Sequence, residues 1–197
     1  TASSSSSSSL IYGGGMGNGG NGGPATTLLS PYLKFGCVSA RKMHETLQES
    51  YARTLAAEGK EKPKSPPTSL LGQLYFREIA YLQAKYHGEA FEQTPSPVCV
   101  DIPWLPLSST NGKSDGGVSS VSTTEGDRRL AAWENGRTGY PYIDACMRQL
   151  RETGWLHHLG RHAVACFLTR GDLWVSWTAG RDVFDKYLLD ADWAVNN

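Results

Sequence analysis

Residues 133–177, WENGRTGYPYIDACMRQLRETGWLHHLGRHAVACFLTRGDLWVSW, decide the fold. Gly136, Gly139-Tyr140-Pro141 and Gly154 punctuate an otherwise dense run. Pro141 suits the first turn of a helix, where its fixed φ helps and its missing N–H is not needed. The spacing predicts one helix from about Trp155 to Thr169 and another from about Trp177 to Leu189. No β-type alternation persists beyond a few residues, so the domain is expected to be all-α.

Outward from this block the chain alternates helices with breakers. Thr68 or Ser69 can cap a helix whose apolar face carries Leu70, Leu71, Leu74, Ile79 and Leu82. From Pro24-Ala25-Thr26 to about Tyr51 the chain reads as a capped turn and a helix. Residues 58–67 (EGKEKPKSPP) form a charged, Pro-rich loop. Pro95, Pro97 and Pro103 impose an extended stretch ending at Trp104. Residues 1–24 are Ser- then Gly-rich and bury too little apolar area to offset the entropy of ordering, so they are expected to be disordered. A Ser/Gly/Thr-rich insertion at about 108–126 is expected to behave alike. The domain proper is thus 25–197.

Composition excludes several classes. The 197 residues carry 39% hydrophobic side chains and a formal net charge of zero, so any nucleic-acid site must be a local patch. Cys37, Cys99, Cys146 and Cys166 form no CxxC pair, which fits reduced thiols inside a cell. No apolar run approaches the roughly 20 residues a membrane span needs. The Ser3–Ser9 run lacks the basic lead and apolar core of a secretory signal. The chain starts without Met and stops at Asn196-Asn197 after an aromatic, acidic segment, so it is expected to be a piece truncated at both ends.

Three constellations could carry chemistry. Thr26-Thr27-Leu28-Leu29-Ser30-Pro31 puts hydroxyls and free amides before a helix, where an anion such as phosphate binds; helix capping explains such a turn equally well. His158 and His162 share a helix face, with Arg161 three beyond His158. Zinc peptidases place a Glu after the first His, but Leu159 stands there, so no metal is expected. The pair could move protons near neutral pH or be a satisfied structural pair. Asp190 and Asp192 follow an apolar run, and Arg161 is the obvious partner for a buried acid. Six tryptophans, Trp174 and Trp177 among them, fit core packing or a path for one-electron oxidation.

Together, LLSPYLKFGCVS (28–39), LLGQLYFRE (70–78), DIPW (101–104), the 133–177 block and LLDADWAVN (188–196) resemble, in order, the flavin domain of the cryptochrome/DNA photolyase family. The resemblance implies a helical FAD-binding domain. Thr26, Thr27, Ser30 and the backbone of Leu28 and Leu29 would hold the FAD diphosphate region. Arg161 would pair with Asp190 beside the isoalloxazine ring, and Asp190, Ala191 and Asp192 would meet its polar edge. Asn196 would face flavin N5. Gln73 and Arg77 would line the cofactor cavity. Trp104 and Trp177 would be the outer and middle members of a photoreduction chain and Trp174 an extra fourth, with the innermost tryptophan just past Asn197.

The HHLxRH block points to the (6-4) photolyase and animal-type cryptochrome branch. His158, in reach of cofactor and substrate, would give a proton to the lesion, with His162 supporting it. Gln73, Phe76 and Leu159 would complete the DNA-facing pocket. Phe76 departs from the family's usual Trp and loses area and the indole N–H. The implied function is light-driven repair of UV-damaged DNA by electron transfer from FAD. The alternative is a blue-light receptor or circadian regulator acting through signalling or clock proteins. An antenna chromophore would sit in a preceding domain, and the nucleus is the expected location, with cytoplasm or plastid as alternatives.

Overall fold

The computed structural model describes residues 26–57, 69–93, 99–108 and 123–196. The Ser/Gly-rich start, the Pro-rich loop at 58–67 and most of the expected insertion at 108–126 lie outside the described residues. The described chain folds as α1 (Ser30–Lys34), α2 (Ala40–Ala56), α3 (Leu70–His87) with a 3-10 turn (Gly88–Glu92), α4 (Glu125–Glu134), α5 (Pro141–Thr153), α6 (His158–Cys166) running into a π turn (Phe167–Gly171), and α7 (Trp177–Tyr187). No strand occurs among the described residues.

The fold-deciding block organises this bundle. Asp144, in the first turn of α5, accepts bonds from Thr138 N (2.8 Å), Thr138 Oγ1 (2.6 Å) and Gly139 N (3.0 Å), pinning the Gly136–Tyr140 turn to the helix it precedes. Desolvation opposes this buried carboxylate, but the bonds from Thr138 and Gly139 outweigh it and hold its pKa below the usual range. Pro141 opens α5 as expected. Trp133, fully buried, donates from Nε1 to Val164 O (2.9 Å) and meets Phe184 edge-on, joining α4, α6 and α7. Around it pack Met147, Leu150, Val164, Leu168 and Val175, each at most 1% exposed.

The differences from expectation have local causes. The run expected as one helix to Tyr51 is two, α1 and α2, and Ser39 caps the second by accepting from Lys42 N at 3.0 Å. Of the two candidate caps for α3, Ser69 accepts from Gly72 N. The helix expected from Trp155 starts at His158, because Gly154 closes α5 in a left-handed turn and His157 becomes the cap. It leaves α-geometry after Cys166, with Thr169 at φ −88°, ψ −106° inside the π turn. Helix α7 stops at Tyr187, since Leu188 is extended. Helix α4 opens at Glu125, inside the stretch expected to be disordered, because Thr124 and Asp127 form a reciprocal capping box.

That box generates a prediction. Hydrogen bonds from Thr124, then those from Ser108, pull the Asp127 carboxyl down to about 2. A depressed acid stabilises the fold above its unfolded pKa of about 4 and loses that contribution as pH falls through its folded value. Asp127→Asn is expected to lower the melting temperature at neutral pH, and the gap from wild type should close as pH drops from about 4 toward 2. Thermal unfolding across pH checks this.

Candidate active site

Four separate stretches of the chain converge on one cavity of about 330 Å³. The Thr26–Ser30 turn, α3 through Gln73, Leu74 and Arg77, and the α5–α6 connection through Trp155, Leu156, His158 and Arg161 line it, together with Asp190 and Val195. Polar groups thus sit among the apolar Leu33, Met43, Leu70, Leu74 and Leu156, the mixture that small-molecule sites use.

The strongest electrostatic feature is the Arg161–Asp190 pair. Arg161 Nη2 donates to Asp190 Oδ2 at 3.0 Å, and its Nε donates to Leu156 O at 2.7 Å. The Asp190 side chain is 3% exposed, and its Oδ1 has no hydrogen-bond partner among the described residues. A buried carboxylate oxygen left unpaired beside a cavity asks for a donor from a ligand. Gly154 sets this up: it adopts φ +68°, its carbonyl accepts from Leu189 N (2.9 Å), and a Cβ there would lie 2.7 Å from Leu189 Cγ. The segment that carries Asp190 is thereby laid against the end of α5.

At the opposite end of the sequence, Leu28 holds φ +54°, a left-handed conformation that costs a branched residue about 1–2 kcal/mol. That strain sits in the turn whose hydroxyls line the cavity. Helix α1 has only five residues and no side-chain cap, so its dipole is small and the turn's own hydroxyls and amides remain as the polar lining.

His158 begins α6, and its ring lies 4.3 Å from that of His157. His157 Nδ1 accepts from Leu159 N at 3.3 Å, which places the His157 proton on Nε2. Burial, then the charges of His158 and Arg161, lower the His157 pKa, so this cap stays neutral. His162 is not on the cavity wall; it is exposed, with Nε2 3.6 Å from Cys166 Sγ, and the ring contact of His158 is with His157 instead.

Other expected residues separate from the cavity. Ala191 and Asp192 are buried but do not line it. Asp192 Oδ2 accepts from the Tyr81 hydroxyl (2.7 Å) and its Oδ1 from Ala194 N (3.1 Å), so internal donors take both oxygens. Asn196 turns away, donating Nδ2 to Asp185 Oδ1 at 3.2 Å; its neighbour Val195 lines the cavity. Phe76 and Leu159 are 57% and 62% exposed and outside the lining. Trp104 and Trp174 lie 6.3 Å apart, with Trp174 at φ +54° and Leu105 N donating to its carbonyl (2.9 Å). Trp177 opens α7, and the Arg181 guanidinium lies 5.6 Å from its ring centroid. Among the described residues no cluster of His, Cys, Asp and Glu could hold a metal.

Sequence reasoning missed Leu33, Met43, Leu70, Leu74, Trp155, Leu156 and Val195 on the wall, and Tyr81 behind Arg77. The apolar seven look like ordinary core residues in sequence. Tyr81 bonds to a partner 111 residues away, which no local pattern announces.

The comparisons agree with this geometry. The family model for the FAD binding domain of DNA photolyase matches residues 70–197. A (6-4)DNA photolyase of Oryza sativa subsp. japonica is 46% identical over 174 residues, covering 88% of this chain and 27% of that protein. Cryptochrome-1 of Erithacus rubecula is 46% identical over 170 residues, covering 86% of this chain and 23% of its own length. In solved structures, a Synechocystis cryptochrome superposes with a TM-score of 0.65 at 25% identity, over 86% of this chain and 29% of that one. A class III photolyase of Agrobacterium tumefaciens gives 0.62 at 28% identity, over 88% and 30%. The chain therefore spans about a quarter of the length of the curated relatives it matches. With residues 70–197 matching that model, the chain belongs to the FAD-binding domain family of the DNA photolyases and cryptochromes.

Proposed function

We propose that the intact protein is a light-driven DNA photolyase of the (6-4) type, located in the nucleus and acting on UV-damaged DNA. The observation that carries this reading is His158 on the wall of the cavity that also holds the Arg161–Asp190 pair. It puts a titratable proton donor beside the cofactor site.

FAD fits the residues present. Its pyrimidine ring offers an N–H donor, which matches the unpartnered Oδ1 of Asp190. Leu33, Met43, Leu70, Leu74 and Leu156 offer apolar surface to a flat ring, and the Thr26, Thr27 and Ser30 hydroxyls suit a diphosphate. When bound and reduced, FAD would supply the light-driven electron for the damaged dinucleotide. The protein's task is to place and protect that chemistry. Arg161 neutralises Asp190, so the carboxylate can accept from the cofactor without standing alone in low dielectric. Arg77 is held by Tyr81 (3.2 Å) and Asp192 (3.5 Å), giving α3 a fixed cation on the cavity wall.

A lesion must leave the duplex to reach such a site, and its poor stacking reduces an unstacking cost of a few kcal/mol. His158 then gives a proton from its ring to the lesion. Burial, then the charge of the neighbouring His158, lower the His157 pKa, which disfavours a second positive charge in the pair. Exposed Phe76 supplies an aromatic face for the flipped base. Trp177 and the Trp104–Trp174 pair would carry an electron inward to the cofactor site from half-exposed Trp174.

The test is repair of a (6-4) photoproduct oligonucleotide by the intact protein under blue light and in darkness. Wild type is expected to repair only in light, and His158→Ala to lose repair by at least about a hundredfold, the scale of general acid catalysis, while keeping flavin and DNA binding. Equal repair by His158→Ala would remove the proton-donor role. No repair by wild type, with photoreduction intact, would assign the protein to signalling cryptochromes instead. Separately, Trp177→Phe is expected to slow photoreduction of oxidised FAD strongly at unchanged flavin content, measured by absorbance under steady blue light.

A further inference from the structure

One turn beyond Arg77 on α3, Tyr81 helps to hold that cation, but its own phenol has no part in the chemistry above. Its hydroxyl donates to Asp192 Oδ2 at 2.7 Å, and Asp192, 8% exposed, is fixed by the Ala194 N–H on its other oxygen. The Arg77 guanidinium lies 4.5 Å from the centre of the Tyr81 ring and also donates to its hydroxyl. Trp193 packs edge-on against the same ring, centroids 5.8 Å apart and planes at 81°, and is 52% exposed. The phenol is therefore clamped on its face, its edge and its oxygen, between a residue of the cavity wall and a half-exposed indole.

Burial, then the bond to Asp192, push the Tyr81 hydroxyl up to about 12. The phenolate is thus out of reach at neutral pH, and a protonated phenol gives up an electron readily only if its proton can leave too. Here a carboxylate oxygen already holds that proton in a short hydrogen bond.

We propose that Tyr81 is a redox-active tyrosine, with Asp192 as its proton acceptor and Trp193 as its contact with solvent. In the forward step Tyr81 loses one electron to light-excited oxidised FAD, its O–H bond breaks, and an O–H bond forms on Asp192 Oδ2. The products are a neutral tyrosyl radical and a neutral carboxyl group beside Arg77. In the return step one electron from a solvent thiol enters through Trp193, and the proton goes back from Asp192 to the phenolic oxygen. The light-driven step rests on the flavin photochemistry proposed above; the tyrosine's own oxidation does not.

Two measurements on the intact holoprotein separate these. In darkness, azide radicals made by pulse radiolysis oxidise the protein by one electron, and transient absorption follows the tyrosyl radical. Wild type is expected to show a tyrosyl component that forms more slowly in heavy water. Tyr81→Phe, which keeps the ring against Trp193, should lose that component. Asp192→Asn, which cannot take a proton, should form it severalfold more slowly. Equal tyrosyl yields and rates in all three proteins would overturn the proposal. Under blue light, Trp177→Phe should show a tyrosyl signal by electron paramagnetic resonance that disappears when Tyr81→Phe is added. A Tyr81-dependent radical in radiolysis with none under light would uphold the tyrosine and remove flavin as its oxidant.

Discussion

Burying a carboxylate costs several kcal/mol unless a cation and hydrogen bonds meet it, and in this domain that demand falls on Asp190. Arg161 meets one oxygen, and none of the described residues meets the other. The pair joins the start of α6 to the segment after α7, and these are the elements that carry His158 and Val195 to the cavity. Removing either partner would leave an uncompensated charge in the wall, so the position of the site and the stability of the fold depend on the same bond. A half-satisfied buried acid is a poor choice for stability alone. It is a sound one where a ligand completes it.

The rest of the bundle keeps those two segments in register. Asp144 ties the Gly136–Tyr140 turn to α5, Trp133 bolts α4 to α6 through Val164, and Gly154 delivers the chain ahead of Asp190. Truncating a buried Trp to Ala costs about 3–5 kcal/mol, a large part of a domain's net stability. The irregular backbone, left-handed at Leu28 on the cavity wall and at Trp174 away from it, and non-helical at Thr169, is held against this regular core.

Much of this was legible in the sequence wherever the cause is local. Pro141 and Ser69 mark helix starts by their own chemistry, and the Arg161–Asp190 pairing follows from an acid that needs a cation. The resemblance of five ordered blocks implied the fold and the cofactor. What escaped depends on distant partners. Asp192 looks like Asp190 in sequence, yet Tyr81 and the Ala194 amide occupy its oxygens, so it stands behind the wall and not on it. Asn196 could have faced the cavity, but Asp185 on α7 takes its amide. His162 shares a helix face with His158 by spacing, yet the His158 ring meets His157 while His162 lies against Cys166. A left-handed leucine at position 28 has no sequence sign at all.

The central claim is that Asp190, held by Arg161, completes its hydrogen bonding with the flavin. A double-mutant cycle on FAD affinity in the intact protein tests it most directly, using Asp190→Asn, Arg161→Gln and the pair together, with dissociation measured by recovery of free-flavin fluorescence. The account predicts that each single change weakens FAD binding at least about tenfold, 1.4 kcal/mol, and that the double variant loses clearly less than the two losses added. Unchanged flavin affinity in Asp190→Asn, or strict additivity of the two changes, would contradict it.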